Sequence, residues 1–438
     1  MLGVHRFAAG RGRRQAAESR DHCGDTLNPS EAHGPTDTEA RVPAEPLPRL
    51  FWRFLRFGLL AWGGPVAQIA MVRQELVEEE KWVTPAHFNR ALALYQVLPG
   101  PEAHELCVYF GMLSRGRVGG LLAGLGFMLP GLLLMLLCSW LYVSFGLDSP
   151  WVKAAFATVQ AAVTALIVRA VHRIAGHAFS SRFLLAIALI AAVAQLLGVH
   201  FVLTLIWAGL TTVLFQAGSR AAAIALTAVF VLGMGLSLHL HAPESAASLA
   251  ASAAAASAAP PNTLSLLGSG LRTGLLTFGG AYTAIPFLQN DAVAQGGWMT
   301  DAQFLDGLAL GGVLPAPLII FGTFVGYLGG GLAGALAMTA GIFAPAFGMT
   351  LLAHHPLERL LHHPRARVFL EGVTAGVVGL IGGTALPLFR AAVHDVLTGL
   401  VFAAALVVLF RSKARLAPMF VIAAAAVVGL GVHALGRM

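Results

Sequence analysis

The sequence predicts an all-α polytopic membrane protein: two homologous six-helix halves in inverted orientation, joined by a linker helix, with broken helices at the centre. Three observations predict it. The composition is 57% hydrophobic and only 11% charged, whereas soluble domains carry roughly a quarter charged residues, so lipid is the solvent for most of this chain. Apolar runs such as GGLLAGLGFMLPGLLLMLLCSWLYVSFG (119–146) and FLLAIALIAAVAQLLGV (183–199) approach or exceed the ~20 residues that cross a hydrocarbon core. Finally, LRFGLLAWGG (55–64) returns as LRTGLLTFGG (271–280). The runs are continuous and rich in Ala and Leu, without the ten-residue alternation of a membrane β-barrel.

Taken in order, residues 1–48 are polar, carry Arg6, Arg11, Arg13, Arg14 and Arg20, and contain no apolar signal segment. They are expected to form a disordered cytoplasmic tail. The first half, 49–219, has crossings expected near 51–71, 85–112, 119–145, 152–170, 183–199 and 200–217. Residues 220–262 supply a linker helix (221–240) and the low-complexity loop HAPESAASLAASAAAASAAPPN (241–262), suited to a periplasmic connection. The second half, 263–438, has crossings expected near 264–288, 301–327, 331–352, 366–388, 393–410 and 416–435. One linker crossing between two halves of equal count turns the second half over.

The duplication carries this organisation. Over positions 55–101 the shift of 216 residues keeps 20 of 47 residues identical, among them Trp82 with Trp298 and Phe88 with Phe304. After a one-residue deletion Gly119 meets Gly334 and Pro130 meets Pro345. Such repeats are a hallmark of membrane transporters.

The net charge of +7 resides largely in short loops, where basic residues orient a membrane protein rather than bind nucleic acid. With the amino terminus cytoplasmic, Arg115, Arg117, Arg169, Arg173, Arg182, Arg220, Arg359, Arg365, Arg367, Arg411, Lys413 and Arg415 fall inside. Arg73, Lys81, Arg90, Lys153, Arg272, Arg390 and Arg437 fall outside. One segment fits poorly: NDAVAQGGWMTD (290–301), expected inside, has no basic residue.

Interrupted backbone is tolerated at bilayer depth only where protein or a cavity satisfies it. WGGP (62–65), LPGP (98–101), FGG (278–280) and LPAP (314–317) are four such interruptions, two in each half. Pro65, Pro99, Pro101, Pro315 and Pro317 each remove a donor. A helix restarting after a break presents free N–H groups and about half a positive charge, which suits an anion. The candidate substrate-binding residues are therefore Gly63, Gly64, Pro65, Pro99, Gly100, Pro101, Gly279, Gly280, Pro315 and Pro317, with Gln96 just ahead of LPGP. Kinking for packing alone is the competing reading.

Glu102, His104 and Glu105 follow LPGP directly, and ionisable groups at this depth are costly and seldom idle. They are candidates for a gate or proton relay, the alternative being a solvated vestibule with pairing to Arg90. The second half has Leu318, Ile319 and Ile320 after its LPAP. Arg56 and Arg272 are arginines at repeat-equivalent positions shortly before the GG pairs. They are candidates to attract and grip a dianion, or else snorkelling anchors.

Other chemistry finds little support. HELCV (104–108) lacks the second histidine of HExxH, and with Lys81, Lys153 and Lys413 as the lysines no phosphate-binding GxxxxGK[ST] loop exists. Cys23, Cys107 and Cys138 form no CxxC. HHP at 354–356 and again at 362–364 could hold a metal or be a solvated loop. No cofactor, resident metal or enzymatic set is expected.

The segments FGLLAWGGPVAQIAMVRQELVEEEKWV (57–83), ALYQVLPGPEAHELCVYFG (93–111) and LLTFGGAYTAIPFLQ (275–289) resemble the chromate ion transporter family in its long, two-domain form. The resemblance spans about residues 51–436. It implies efflux of chromate across the bacterial inner membrane, sulfate being a look-alike substrate, and two domains of opposite orientation. The amino terminus would lie in the cytoplasm and the carboxyl terminus in the periplasm. The chain departs from the family pattern at Ala316, in place of the glycine of PGP, and at Ala281, in place of the proline after GG. Membrane potential would drive efflux, with protons optional. Uptake of sulfate or another oxyanion by proton symport is the alternative, and a homodimer is compatible with the sequence.

Overall fold

The computed structural model describes residues 42–96, 98–145, 149–178, 181–241, 261–278, 280–353, 364–412, 414 and 416–435. Residues 1–41 of the expected tail, most of the low-complexity loop, Gly279, both HHP histidine pairs, Arg359, Lys413, Arg415 and Arg437 lie outside the described residues. The expected disordered tail ends earlier than residue 48, because Glu45 is buried and paired with Arg53 at 2.6 Å, and the first helix begins at Leu47.

Among the described residues the regular structure is helical. The first repeat opens with α1 (Leu47–Leu59), α2 (Gly64–Arg73) continued by one π-turn segment (Gln74–Glu79), and α3 (Pro85–Tyr95). Then come α4 (Glu102–Phe145), α5 (Pro150–Ala178), α6 (Arg182–Leu196) and α7 (Phe201–Gln216). The linker helix is α8 (Arg220–His241). The second repeat has α9 (Thr263–Leu276), α10 (Ala284–Gln289) with its π-turn segment (Asn290–Gln295), and α11 (Asp301–Val313). It ends with α12 (Phe321–Leu352), α13 (Pro364–Ala392), α14 (Val396–Arg411) and α15 (Ala417–Ala434). Local chemistry sets several starts: the Thr84 hydroxyl accepts from the His87 N–H ahead of Pro85, and Thr300 with Gln303 forms a capping box on α11.

The first two apolar runs of each half do not read as simple crossings. The 13 residues of α1 span about 20 Å, short of the ~30 Å hydrocarbon thickness. Beyond the WGGP interruption the chain folds back, so that Arg53 of α1 bonds Glu75 at 3.0 Å and Glu80 at 2.6 Å. In the same way α3 and the start of α4 are arms of a second hairpin, with the Phe88 and Phe110 rings 6.2 Å apart. The Ser114 hydroxyl donates to the Pro43 carbonyl at 2.6 Å, so the bases of both hairpins lie together and their interruptions form the tips. At Arg115 and Gly116 α4 leaves helical geometry (Gly116 φ 61°) before running on as a long span. The second repeat copies this at Gly330 and Gly331 (φ 58°). Each half is thus two hairpins followed by four further helices, rather than six equal crossings. Among the described residues, five helices, α4, α5, α12, α13 and α15, contain stretches long and apolar enough to cross a membrane, and α6, α7, α8 and α14 are shorter apolar helices.

Small residues set the packing, as they do between membrane helices. A Cβ on Gly126 would stand 2.8 Å from the Phe51 carbonyl oxygen, and on its repeat mate Gly341 2.4 Å from that of Leu267. Gly379 of α13 meets the Ala188 carbonyl of α6, and Gly429 of α15 that of Ala154 of α5. Helices of one repeat are therefore packed into the other.

Candidate functional site

The four tips meet. Pro99 pairs with Phe278 in an isolated antiparallel bridge, and the Gly100 N–H donates to the Thr277 carbonyl at 2.8 Å. The LPGP tip of one repeat is thus joined by backbone to the FGG tip of the other, which is how irregular backbone is satisfied here. At the repeat-equivalent junction a side chain does the joining: Gln68 Nε2 donates to the Ala61 carbonyl at 2.9 Å and to the Ala316 carbonyl at 3.0 Å. Gln68 is 1% exposed. Beneath the tips, a Cβ on Gly131 would lie 2.3 Å from that of Ala316, and one on Gly100 would lie 3.1 Å from that of Ala346.

A cavity of about 290 Å³ opens beside these junctions. Gly63, Gly64, Pro65, Val66 and Ala67 line one wall, Gly280 and Tyr282 another, with Glu102, Arg169 and Arg173 completing the polar lining. Gly63 (φ 88°) and Gly64 (φ 78°) hold left-handed backbone, so glycine is what lets the chain turn sharply into α2. The first-turn N–H groups of α2 stand at the cavity wall, without intrahelical acceptors. Glu102 Oε1 sits 3.8 Å from where a Gly280 Cβ would be, so the carboxylate of one repeat faces the interruption of the other. A narrower cavity of about 50 Å³ shares Gly63, Gly64, Leu166, Tyr282 and Pro418 with the first and reaches Leu314, Ala316 and Leu318. There is room in the pair for a tetrahedral oxyanion together with waters.

The expected site residues divide into groups. Gly63, Gly64, Pro65, Gly280 and Glu102 line the cavity. Pro99, Gly100, Pro101, Pro315 and Pro317 are buried in the tips behind it. Gln96 is exposed at the end of α3 and lines neither cavity. His104 is fully buried among Phe127, Phe343 and Phe347, with ring centroids 6.5, 4.9 and 4.7 Å away. Glu105 is fully buried against Gly100, and among the described residues neither of its oxygens has a hydrogen-bond partner. Arg56 and Arg272 stand on the first arms of the hairpins, outside both cavity linings: Arg56 pairs with Glu75, and Arg272 Nη2 reaches Asp291 Oδ2 at 2.5 Å. Since Glu75 and Asp291 are themselves repeat equivalents, the duplicated arginines staple duplicated hairpins.

Sequence reasoning missed the cations that the cavity does present. Arg169 and Arg173 lie one turn apart on α5, whereas the sequence places them only among the basic residues at the end of a crossing and its loop. Their i, i+4 spacing on one face of an apolar helix was the available signal. Arg169 Nη2 also lies 3.5 Å from the Ser412 carbonyl, between α14 and α15. Gln68 left no trace in the repeat, because its equivalent is Ala284.

The sequence model for chromate transporters matches residues 48–214 and again 264–430. The chain belongs to the chromate transporter family. A chromate transport protein of Pseudomonas aeruginosa is 51% identical over 409 residues, 92% of this chain and 97% of that one. A chromate transport protein of Cupriavidus metallidurans is 31% identical over 90% of this chain and 97% of its own length. A probable chromate transport protein of Synechococcus elongatus is 29% identical over 89% and 96%. No solved structure matches the chain. Each family match begins at a first hairpin and spans two of the four interruptions, so the family pattern coincides with the repeat. The protein is a transporter, not an enzyme.

Proposed function

We propose that this chain exports chromate from the cytoplasm of a bacterium across its inner membrane, binding the dianion in the cavity lined by Gly63, Gly64, Pro65, Gly280, Arg169 and Arg173. One observation carries the reading: the restarting helix α2 of one repeat, the interruption of the other, and two arginines share one cavity. Free amide donors and guanidinium groups are what a tetrahedral dianion asks of a protein. Glu102, in the same lining, competes with the anion for those cations and serves as the gate. A potential of about 100 mV, negative inside, favours exit of two negative charges by roughly 4.6 kcal/mol, so ATP is unnecessary.

The hairpins support opposite orientation of the two halves. With the amino terminus cytoplasmic, both hairpin bases of the first repeat lie on the cytoplasmic side, and Arg73, Lys81 and Arg90 move there with them. The odd set of five apolar helices that follows, α4 to α8, carries the second repeat's hairpin bases to the periplasm. The segment 290–301, which lacks Lys and Arg, then becomes a translocated loop, as the positive-inside bias requires. The carboxyl terminus is periplasmic.

Purified protein in liposomes loaded with radiolabelled chromate tests the reading, with a potassium gradient and valinomycin setting the potential. Flux accelerated by a potential that draws anions outward is expected. Flux indifferent to potential sinks the proposal, and uptake of sulfate with protons in preference to chromate favours an importer instead.

A further inference from the structure

Away from the tips, one carboxylate is fully enclosed. Asp306 on α11 is 0% exposed, with Oδ2 accepting from the Tyr142 hydroxyl of α4 at 2.8 Å and Oδ1 from Gln160 Nε2 of α5 at 2.8 Å. The Tyr142 ring packs edge-on against Phe324 at 4.9 Å. Ionisable groups inside a membrane bundle are costly and are kept for function. The repeat-equivalent residue is Arg90, so duplication does not explain the carboxylate. Nor is it isolated from the anion route: Val163 and Ile167 of α5, three and seven residues beyond Gln160 and so on the same helix face, line the narrow cavity.

We propose that Asp306, cradled by Tyr142 and Gln160, is a proton-binding site that couples proton exchange through the narrow cavity to movement of the tip at 314–317. The inference rests on the transport reading above. When the carboxylate is ionised it accepts from both neighbours, as seen here. When it takes a proton from water in the narrow cavity, the Oδ2–H bond that forms makes Asp306 a donor, and the Tyr142 hydroxyl turns from donor to acceptor. That reversal releases or tightens α11 against α4 and α5. The end of α11 is the LPAP tip, whose Ala316 carbonyl Gln68 holds, so the protonation state is transmitted along one rigid helix to the anion cavity. The helices packed around this site carry further titratable groups: Cys138 of α4, Lys153 of α5, Tyr327 of α12, Arg390 of α13 and His433 of α15, with Asp301 on α11 itself, while Glu102, His104 and Glu105 of α4 and Arg169, His172 and Arg173 of α5 stand farther along them. Asp301 accepts from Gln289 at 3.0 Å.

The test uses the full chain in liposomes with the potential clamped, measuring chromate flux over a series of pH values equal on both sides. Wild-type flux should titrate with the slope of one proton, and Asp306→Asn should flatten the profile. Tyr142→Phe removes a donor to the ionised carboxylate, so its midpoint should move up by about one pH unit or more. Gln160→Leu should move it the same way, and these two variants carry the test if Asp306→Asn fails to assemble. Variants that lower the rate without moving the midpoint, or a wild-type profile that is flat, overturn the proton site while leaving transport standing. A wild type that carries no chromate at any potential overturns the transport reading itself, and the coupling site falls with it.

Discussion

The Gly100 N–H donates to the Thr277 carbonyl at 2.8 Å, whereas the equivalent residues Ala316 and Ala61 are linked only through the amide of Gln68. Two related junctions are thus closed by different means, one by main chain and one by a replaceable side chain.

Gln68→Leu should therefore weaken one junction alone. It leaves two buried carbonyls short of a donor, a loss of roughly 1–3 kcal/mol. Thermal unfolding in detergent should show the loss and vesicle flux should fall. Unchanged stability and flux would show that the bridge is dispensable.

Arg169→Gln and Arg173→Gln should each raise the KM for chromate by about tenfold or more, the range expected for a hydrogen bond to a charged group. Lysine should restore attraction without the paired donors of guanidinium, giving an intermediate KM. Concentration-dependent flux measures both. Arg56→Gln, outside both cavity linings, should leave KM nearly unchanged.

Gly131→Ala should crowd Ala316, since the new Cβ would lie 2.3 Å from the existing one. Overpacking of this kind costs about 1–3 kcal/mol. The double variant Gly131→Ala with Ala316→Gly should recover the yield of folded protein on gel filtration, because the space is returned. Failure of the second change to rescue the first would show that the contact does not set the tip.

Glu80 lies at the base of the first hairpin, outside the helices. Partial burial alone would raise its carboxyl, but donation from Arg53 and Trp82 outweighs this and holds it below the ordinary value of 4.5. A carboxylate depressed on folding contributes stability above its unfolded value and loses it as pH falls toward the folded one. The melting-temperature gap between wild type and Glu80→Gln should therefore be present at neutral pH and close as pH drops below about 4.5.

The duplication and the positions of the interruptions were legible in the sequence, because glycine and proline at repeated positions advertise backbone that cannot continue as helix. The hairpins were not. Hydropathy measures how apolar an arm is, and α1 and α3 each carry an apolar face buried against protein, Leu50, Phe54 and Phe57 in one and Phe88, Ala91 and Tyr95 in the other, whether or not they cross. The charge count held the clue, in that 290–301 lacked the basic residues its assigned side called for. Arg56 and Arg272 drew attention by recurring, yet Glu75 and Asp291 recur with them, and a repeated ion pair is a repeated fastening. Arg169, Arg173, Gln68 and Asp306 occur in one half only, so a search built on symmetry passed over them. The polar features of the cavity and its surroundings lie where the two copies differ.

The hinge-like departures at Arg115–Gly116 and Gly330–Gly331 place a bend of the same hand directly below each second hairpin. A tip-bearing arm can consequently tilt on its own long span without unwinding it. Since the two bends occupy repeat-equivalent positions, the geometry that lets one arm tilt is built into the other as well.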